Sequence, residues 1–316
     1  MSEFFNALNE VSVAPDPDEG VTADLTELIS ADPIVLDRAE EGSWNRAPMN
    51  QMNFFGLISH PFSDAVNPDF FYSSRGHERA LRKMAMTVED NISLGLVHGK
   101  SGTGKSLLSV MLLKHLDPEK YRSALVLVSP GMTKTSLLKE ILRELGEYNE
   151  KLPSKTQDLL DLLHEQIIDL YSHQRRLVIL IDEAHFLSSG ALHLLRTISN
   201  LETPQQKLTT CLLFSEDLFL RRLSHPSYQS LRNRMYMKVR LSGMEADETT
   251  QYIKYRLLAA GCKEPMFDEA VYAEIQKATD GVARDISRVC HNCLAEGFLQ
   301  KKKTVDVELL RNVLDE

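Results

Sequence analysis

The chain of 316 residues is short of the features that would set it apart from ordinary soluble proteins. Its four cysteines, Cys211, Cys262, Cys290 and Cys293, are too few and too scattered for a disulfide framework. Cys290-His291-Asn292-Cys293 has C-x-x-C spacing, but no second pair stands at zinc-finger distance. Ile286, Val289, Cys290 and Cys293 also share one helical stripe, so a buried core face is expected there and a metal is not. No apolar run approaches the ~20 residues of a membrane span, and the N-terminus lacks a basic start followed by a hydrophobic core. These absences lead to the expectation of a cytoplasmic protein. Internal repeats and low-complexity blocks are missing as well.

Excess positive charge is also lacking. The net charge is −9, yet residues 1–42 hold eleven acidic residues and one basic residue, which leaves about +1 for residues 43–316. The acidity therefore belongs to a tail, 1–45, whose stretch "VAPDPDEGVTAD" is rich in proline and acid and favours disorder. Two short apolar patches within it, Phe4-Phe5 with Leu8 and Leu25 with Leu28-Ile29, leave room for a partner-binding segment.

Beyond the tail the pattern is regular. Short apolar runs, "LGLVH", "SALVLVS", "RLVILID", "LTTCLLFS" and "MYMKVRL", alternate with helical faces such as Leu137, Leu138, Ile141, Leu142 and Leu145. Apolar strands separated by helices predict a parallel sheet covered on both faces. Past residue 243 the strand pattern stops, and four amphipathic stretches predict a small helical domain. The expected architecture is α/β: a P-loop αβα sandwich with a five-stranded parallel sheet over 46–242, and an all-helical lid over 243–316.

Five stretches carry the chemistry. Gly99-Lys100-Ser101-Gly102-Thr103-Gly104-Lys105-Ser106 lies between an apolar strand and a helix. Its glycines let backbone N–H groups wrap a phosphate, and the helix presents its positive end to the same spot. Lys105 would reach the β- and γ-phosphates, and Ser106 would ligate Mg²⁺. The strand Val178–Ile181 then ends in Asp182-Glu183. In an open parallel sheet such strand ends share the ligand crevice, so Asp182 would hold Mg²⁺ through its water shell and Glu183 would polarise the attacking water. The next strand ends in Ser215-Glu216, which could help place that water. Arg232 and Arg234 precede the last strand, where an arginine can reach across a subunit boundary to a neighbour's γ-phosphate. Arg284, opening a helix of the C-terminal domain, could touch nucleotide and report its state.

These motifs, with "FFGLISHPFSDAVNPDFFYSSRGHERAL", "YIKYRLLAAG" and "TDGVARDISRVC", resemble the AAA+ ATPases, and within them the group of ExeA-type secretion ATPases and TnsC/TniB-type transposition regulators. The resemblance covers roughly residues 53–314. It implies a homo-oligomer, ring or filament, with ATP and Mg²⁺ between subunits. It further implies that Asp182 and Glu183 are the metal-positioning and catalytic acids, Arg234 the arginine finger rather than Arg232, and Arg284 the lid sensor. Phe71 and Tyr72 would lie near the adenine. One departure stands out: the family usually has glutamine after the fourth strand, whereas this chain has Glu216. A carboxylate there would repel the γ-phosphate unless protonated or turned away, which points to slow hydrolysis or to Ser215 as substitute.

The function this implies is an ATP-switched, DNA-binding oligomer that recruits or activates a transposase or similar partner. The lack of an envelope-binding C-terminal extension agrees with that expectation. Duplex DNA would be met by Lys134 with Thr133 and Thr135, or by Lys301-Lys302-Lys303, and a protein partner through the acidic tail. A near-neutral body opposes strong DNA binding by one copy, but repetition around a ring compensates. The alternatives are a cytoplasmic ATPase subunit of a secretion or pilus-type assembly, and a weakly hydrolysing nucleotide-gated scaffold in phage defence.

Overall fold

The structure, a computed structural model, describes residues 50–65, 67–146 and 152–315. The expectations for the tail fall outside the described residues. The chain opens with a short helix, α1 (Gln51–Phe55), and a longer one, α2 (Arg75–Glu89), before the first strand, β1 (Leu94–Gly99). Then follow α3 (Lys105–His115), β2 (Tyr121–Leu127), α4 (Lys134–Glu144), α5 (Thr156–Ser172), β3 (Arg176–Asp182), α6 (Ser189–Ile198) and β4 (Thr209–Ser215). Two short helices, α7 (Leu218–Leu223) and α8 (Gln229–Arg232), lead into β5 (Met235–Leu241). The chain closes with α9 (Ala246–Ala259), α10 (Glu269–Thr279), α11 (Ala283–Leu299) and α12 (Val307–Asp315).

All strand pairs are parallel, and the order across the sheet is β2-β3-β4-β1-β5. The expected five-stranded α/β architecture is present. Every residue of β1 and β4 is buried, as continuous apolar runs require when both faces of a sheet are covered. On one face Leu137, Ile141, Leu163 and Leu195 of α4, α5 and α6 pack against Ile179 and Leu213. On the other, Ala80, Met84, Leu108 and Leu112 of α2 and α3 pack against Val97, Leu180 and Phe214. β5 differs: its buried and exposed residues alternate, because it closes the sheet as an edge strand.

A third core lies among the C-terminal helices. Tyr252, Ile253, Val271, Ile275, Ile286 and Leu309 pack there, with Cys290 and Cys293 buried among them as the helical stripe predicts. Met52, Phe55, Leu57 and Phe62 belong to this core rather than to the sheet. The Ile58 N–H donates to the Ala260 carbonyl at 2.8 Å, and Phe54 meets Phe298 edge-on at 5.4 Å. The leading segment thus packs with the C-terminal helices. Among the described residues no helix is long and apolar enough to cross a membrane.

Candidate functional site

The glycine loop leaves the carboxyl end of β1 and turns into α3. Gly104 caps α3 at φ +94° and supplies no side-chain bond, which leaves the first-turn N–H groups to a ligand. A Cβ at Gly104 would meet His77 Nε2 at 2.7 Å; one at Gly102, with φ +78°, would meet Arg284 Cβ at 2.7 Å. Glycine is required at both positions for backbone conformation and for space.

Lys105 is buried, and its Nζ donates to the carbonyls of Gly99 (3.1 Å) and Lys100 (2.9 Å). Burial pulls its pKa down, while the carboxylates of Glu183, Glu216, Asp182 and Asp217 pull the other way. The carboxylates at the ends of β3 and β4 therefore act on one ammonium at the start of α3. Asp182 is buried at the end of β3, and its Oδ1 accepts the Glu183 N–H at 2.9 Å. Glu183 has φ 55° and ψ 36°, a left-handed backbone that costs about 1–3 kcal/mol and persists only where the surroundings hold it. Burial raises the pKa of its carboxyl, and Asp182 adds to the effect against His185 and Lys105. His185 Nδ1 lies 3.3 Å from Glu183 Oε2.

At the end of β4 the fully buried Ser215 Oγ has no hydrogen-bond partner among the described residues. An unpaired buried hydroxyl costs about 1–3 kcal/mol, so this oxygen fits a group that arrives with a ligand. Glu216 follows, half-buried, and its charge reaches both Lys105 and Glu183. No group of three or more His, Cys, Asp or Glu gathers as a metal site among the described residues. A divalent ion here would be held by Ser106, Asp182 and the ligand's own oxygens, which suits the few protein ligands that Mg²⁺ takes.

The helical lid touches the loop directly. Arg284 donates its backbone N–H to the Gly102 carbonyl (3.1 Å) and its guanidinium to Ser101 Oγ (3.2 Å). Lys100 Nζ pairs with Asp280 Oδ2 at 2.8 Å. Phe71 and Tyr72 line the same crevice, a cavity of about 140 Å³ shared with Gly102, Lys105, Ser106 and Arg284. Tyr72 packs against Tyr252 and Tyr255, with ring centroids 6.0 and 5.9 Å away.

Four expected residues stand apart from this cluster. Arg232 and Arg234 precede β5, whose Met235 pairs with Leu94 at the start of β1, whereas the loop begins at Gly99. One strand length, roughly 16 Å at ~3.3 Å per residue, separates them from their own chain's loop. Arg232 donates to the Leu223 carbonyl at 2.8 Å and is thereby tied to its own backbone. Arg234 Nε is buried without a hydrogen-bond partner among the described residues, beside a cavity of about 630 Å³ lined by Ser93, Lys207, Gln229, Asn233 and Tyr236. Lys134 is exposed at the first turn of α4, capped by Thr133, and Thr135 bonds Thr156 at 2.7 Å. Neither belongs to the crevice.

Other residues at the site carried no separate sequence signal. His77, within the leading segment, is buried between Ser74 Oγ (2.6 Å from Nδ1) and the Thr103 carbonyl (3.0 Å from Nε2), with Phe71 edge-on at 5.7 Å. A carbonyl can only accept, so Nε2 carries the proton and the ring braces the loop. His98 Nδ1 meets Asp217 Oδ1 at 2.7 Å. Burial alone would raise the Asp217 carboxyl, but His98, Arg240 and Lys105 hold it below the usual range. The buried Arg256 donates to the Pro61 carbonyl and to Tyr252 Oη, and so fixes the leading segment against the lid.

Comparison with known proteins bears on the fold and the family. Residues 89–223 match the profile of the AAA domain family. A stretch of 246 residues is 31% identical to general secretion pathway protein A of Aeromonas hydrophila, covering 78% of this chain and 44% of that protein. The chain therefore spans under half the length of that relative. Among solved structures, Cdc6p of Pyrobaculum aerophilum superposes with a TM-score of 0.63 at 16% identity, over 81% of this chain and 70% of that one. The Aeropyrum pernix ORC1 protein in complex with DNA gives 0.61 at 16%, over 80% and 67%. The Aeropyrum pernix ORC2 protein in its ADPNP–ADP complexes gives 0.59 at 17%, over 81% and 71%. At these identities the three structures establish a common fold.

Proposed function

With residues 89–223 an AAA domain of the AAA+ ATPase fold, we propose that the protein binds ATP with Mg²⁺ in the crevice and hydrolyses it as an assembly of several copies. The observation that carries this reading is the convergence of Lys105, Asp182, Glu183 and the unpaired Ser215 at the strand ends, beneath a lid that bonds to the loop. Lys105 would hold the β- and γ-phosphates, Ser106 and Asp182 the metal, and Glu183 the attacking water. Arg234, one strand length from its own loop, is suited to a neighbour's γ-phosphate; Arg284 would couple the nucleotide to the lid.

For the cellular role we propose an ATP-switched regulator that binds duplex DNA and recruits or activates a transposase or similar partner. ATP would favour the assembled state and hydrolysis would release it. The solved structures of like fold include one described in complex with DNA, which agrees with this reading. A second reading, an ATPase unit of a secretion-type assembly, is favoured by the 31% identity to general secretion pathway protein A. Duplex binding, with a slowly hydrolysed ATP analogue and at several salt concentrations, separates the two. Binding at ~50 mM salt that needs nucleotide supports the DNA role; no binding there, where phosphate contacts are strongest, removes it in favour of the second.

A further inference from the structure

A groove outside the nucleotide crevice gathers positive charge. β5 is one edge of the sheet, and its alternation leaves Lys238 and Arg240 exposed. α2 packs against β5 and carries Arg75, Arg79 and Lys83 at i, i+4 and i+8, one stripe of a helix. These five cations line one groove of about 460 Å³, which also holds two carboxylates, Glu245 and Glu248, at its Arg75 end.

One end of the groove is neutralised: Arg75 pairs with Asp247 at 2.8 Å and with Glu248 at 3.2 Å. The rest is not. Arg79, Lys83 and Lys238 make no ion pair or side-chain hydrogen bond with any described residue. Arg240 has only a 3.5 Å contact with Asp217 and is 65% exposed. The chain beyond its tail is close to neutral, so this is a local concentration of charge rather than a share of a general excess. Spacing adds a second argument. Four helical residues advance about 6 Å and two strand residues about 6.6 Å, each near twice the ~3.4 Å axial step between phosphates on one strand.

We propose that this groove is a contact surface for a phosphodiester backbone, distinct from the ATP crevice; it builds on the DNA-binding reading above. Arginine forks and lysine ammoniums would meet successive phosphates without reading bases, so the contact would be strong in low salt and indifferent to sequence. It replaces neither sequence-derived candidate by position. Lys134 lies on α4, against the far face of the sheet, and Lys302 is already paired with Asp306 at 3.4 Å.

The test uses the full chain with a slowly hydrolysed ATP analogue, a labelled duplex and the matching single strand. Affinity is measured against salt for the wild type, for a triple variant (Arg79→Gln, Lys83→Gln, Lys238→Gln) and for Lys134→Ala. ATP affinity and thermal unfolding serve as fold controls, since none of the substituted residues lines the crevice. For the triple variant on duplex the slope of log affinity against log salt should shrink by about 2.7, at ~0.9 per phosphate contact, or by about 2.1 on a single strand at ~0.7. The stronger of the two nucleic acids then identifies the backbone form the groove takes. An unchanged slope in the triple variant with a reduced one in Lys134→Ala overturns the groove while DNA binding stands. A wild type that binds neither nucleic acid overturns both. Polyglutamate that competes as well as DNA at equal charge also overturns it, by assigning the groove to acidic peptides.

Discussion

Replacing His77 by alanine should loosen the phosphate loop without touching any phosphate-binding side chain. The ring is buried, donates to the Thr103 carbonyl at 3.0 Å, and fills the space beside Gly104. Its loss leaves a buried carbonyl unpaired, at about 1–3 kcal/mol, and opens a cavity. Ring-to-alanine changes in cores cost about 3–5 kcal/mol in all, and that is the expected loss in unfolding free energy. If about 1–2 kcal/mol of it appears as freedom of the loop, ATP affinity falls roughly five- to thirtyfold. Urea unfolding and equilibrium ATP titration read the two effects separately, and His77→Gln, which keeps a donor, should recover part of the affinity. The ring also imposes a pH dependence. Burial, outweighing the Thr103 carbonyl and the charge of Glu248, holds its pKa below the ordinary 6.5. Between the two values the unfolded chain carries a proton that the folded chain does not, so stability is full above about 6.5 and declines as pH falls through that window. His77→Gln should lose that decline. An alanine variant with wild-type ATP affinity and under ~1 kcal/mol of destabilisation would refute the bracing role.

Three further outcomes follow from the same geometry. Glu183→Gln should keep ATP affinity while turnover drops on the order of 10²–10⁴-fold, measured as phosphate release; near-wild-type turnover would take the catalytic role from this residue. Arg234→Ala should lose on the order of 10³ in turnover, and mixing it with Lys105→Ala protein should restore activity, because each copy supplies the half the other lacks. Mixtures that stay inactive would mean that Arg234 does not act across subunits. Gly102→Ala forces a Cβ to 2.7 Å from Arg284 in a backbone at φ +78°, so ATP affinity should fall at least tenfold by titration; an unaffected variant would mean that the lid does not hold the loop as described.

Much of the fold was legible because its central strands are buried on both faces and read as unbroken apolar runs; β1, β3 and β4 lie where those runs lie. β5 lies over "MYMKVRL", the last of those runs, although at the edge of the sheet its residues alternate between buried and exposed. The loop and the Asp182-Glu183 pair were visible because their chemistry depends on fixed local spacing. What stayed hidden depends on long-range packing. Nothing local indicates that Met52, Phe55 and Phe62 pack with helices near the other end of the chain. Lys100 finds Asp280 and Arg284 finds Ser101 across about 180 residues, which no periodicity reveals. His77 lies in the leading segment, but the group it braces is the Thr103 carbonyl, and carbonyls leave no trace in sequence. The resemblance set Arg234 ahead of Arg232, and the structure adds a physical difference between them: Arg232 is tied to the Leu223 carbonyl, whereas Arg234 Nε has no hydrogen-bond partner among the described residues.

The central claim is that the convergence at the strand ends is a triphosphate site, and calorimetric titration of the full chain with Mg²⁺ and ATP tests it most directly. Saturable binding, about one nucleotide per chain, abolished in Lys105→Ala and accompanied by growth in particle mass, is the expected result. A wild type that releases or absorbs no heat and keeps its mass as ATP is added would contradict it.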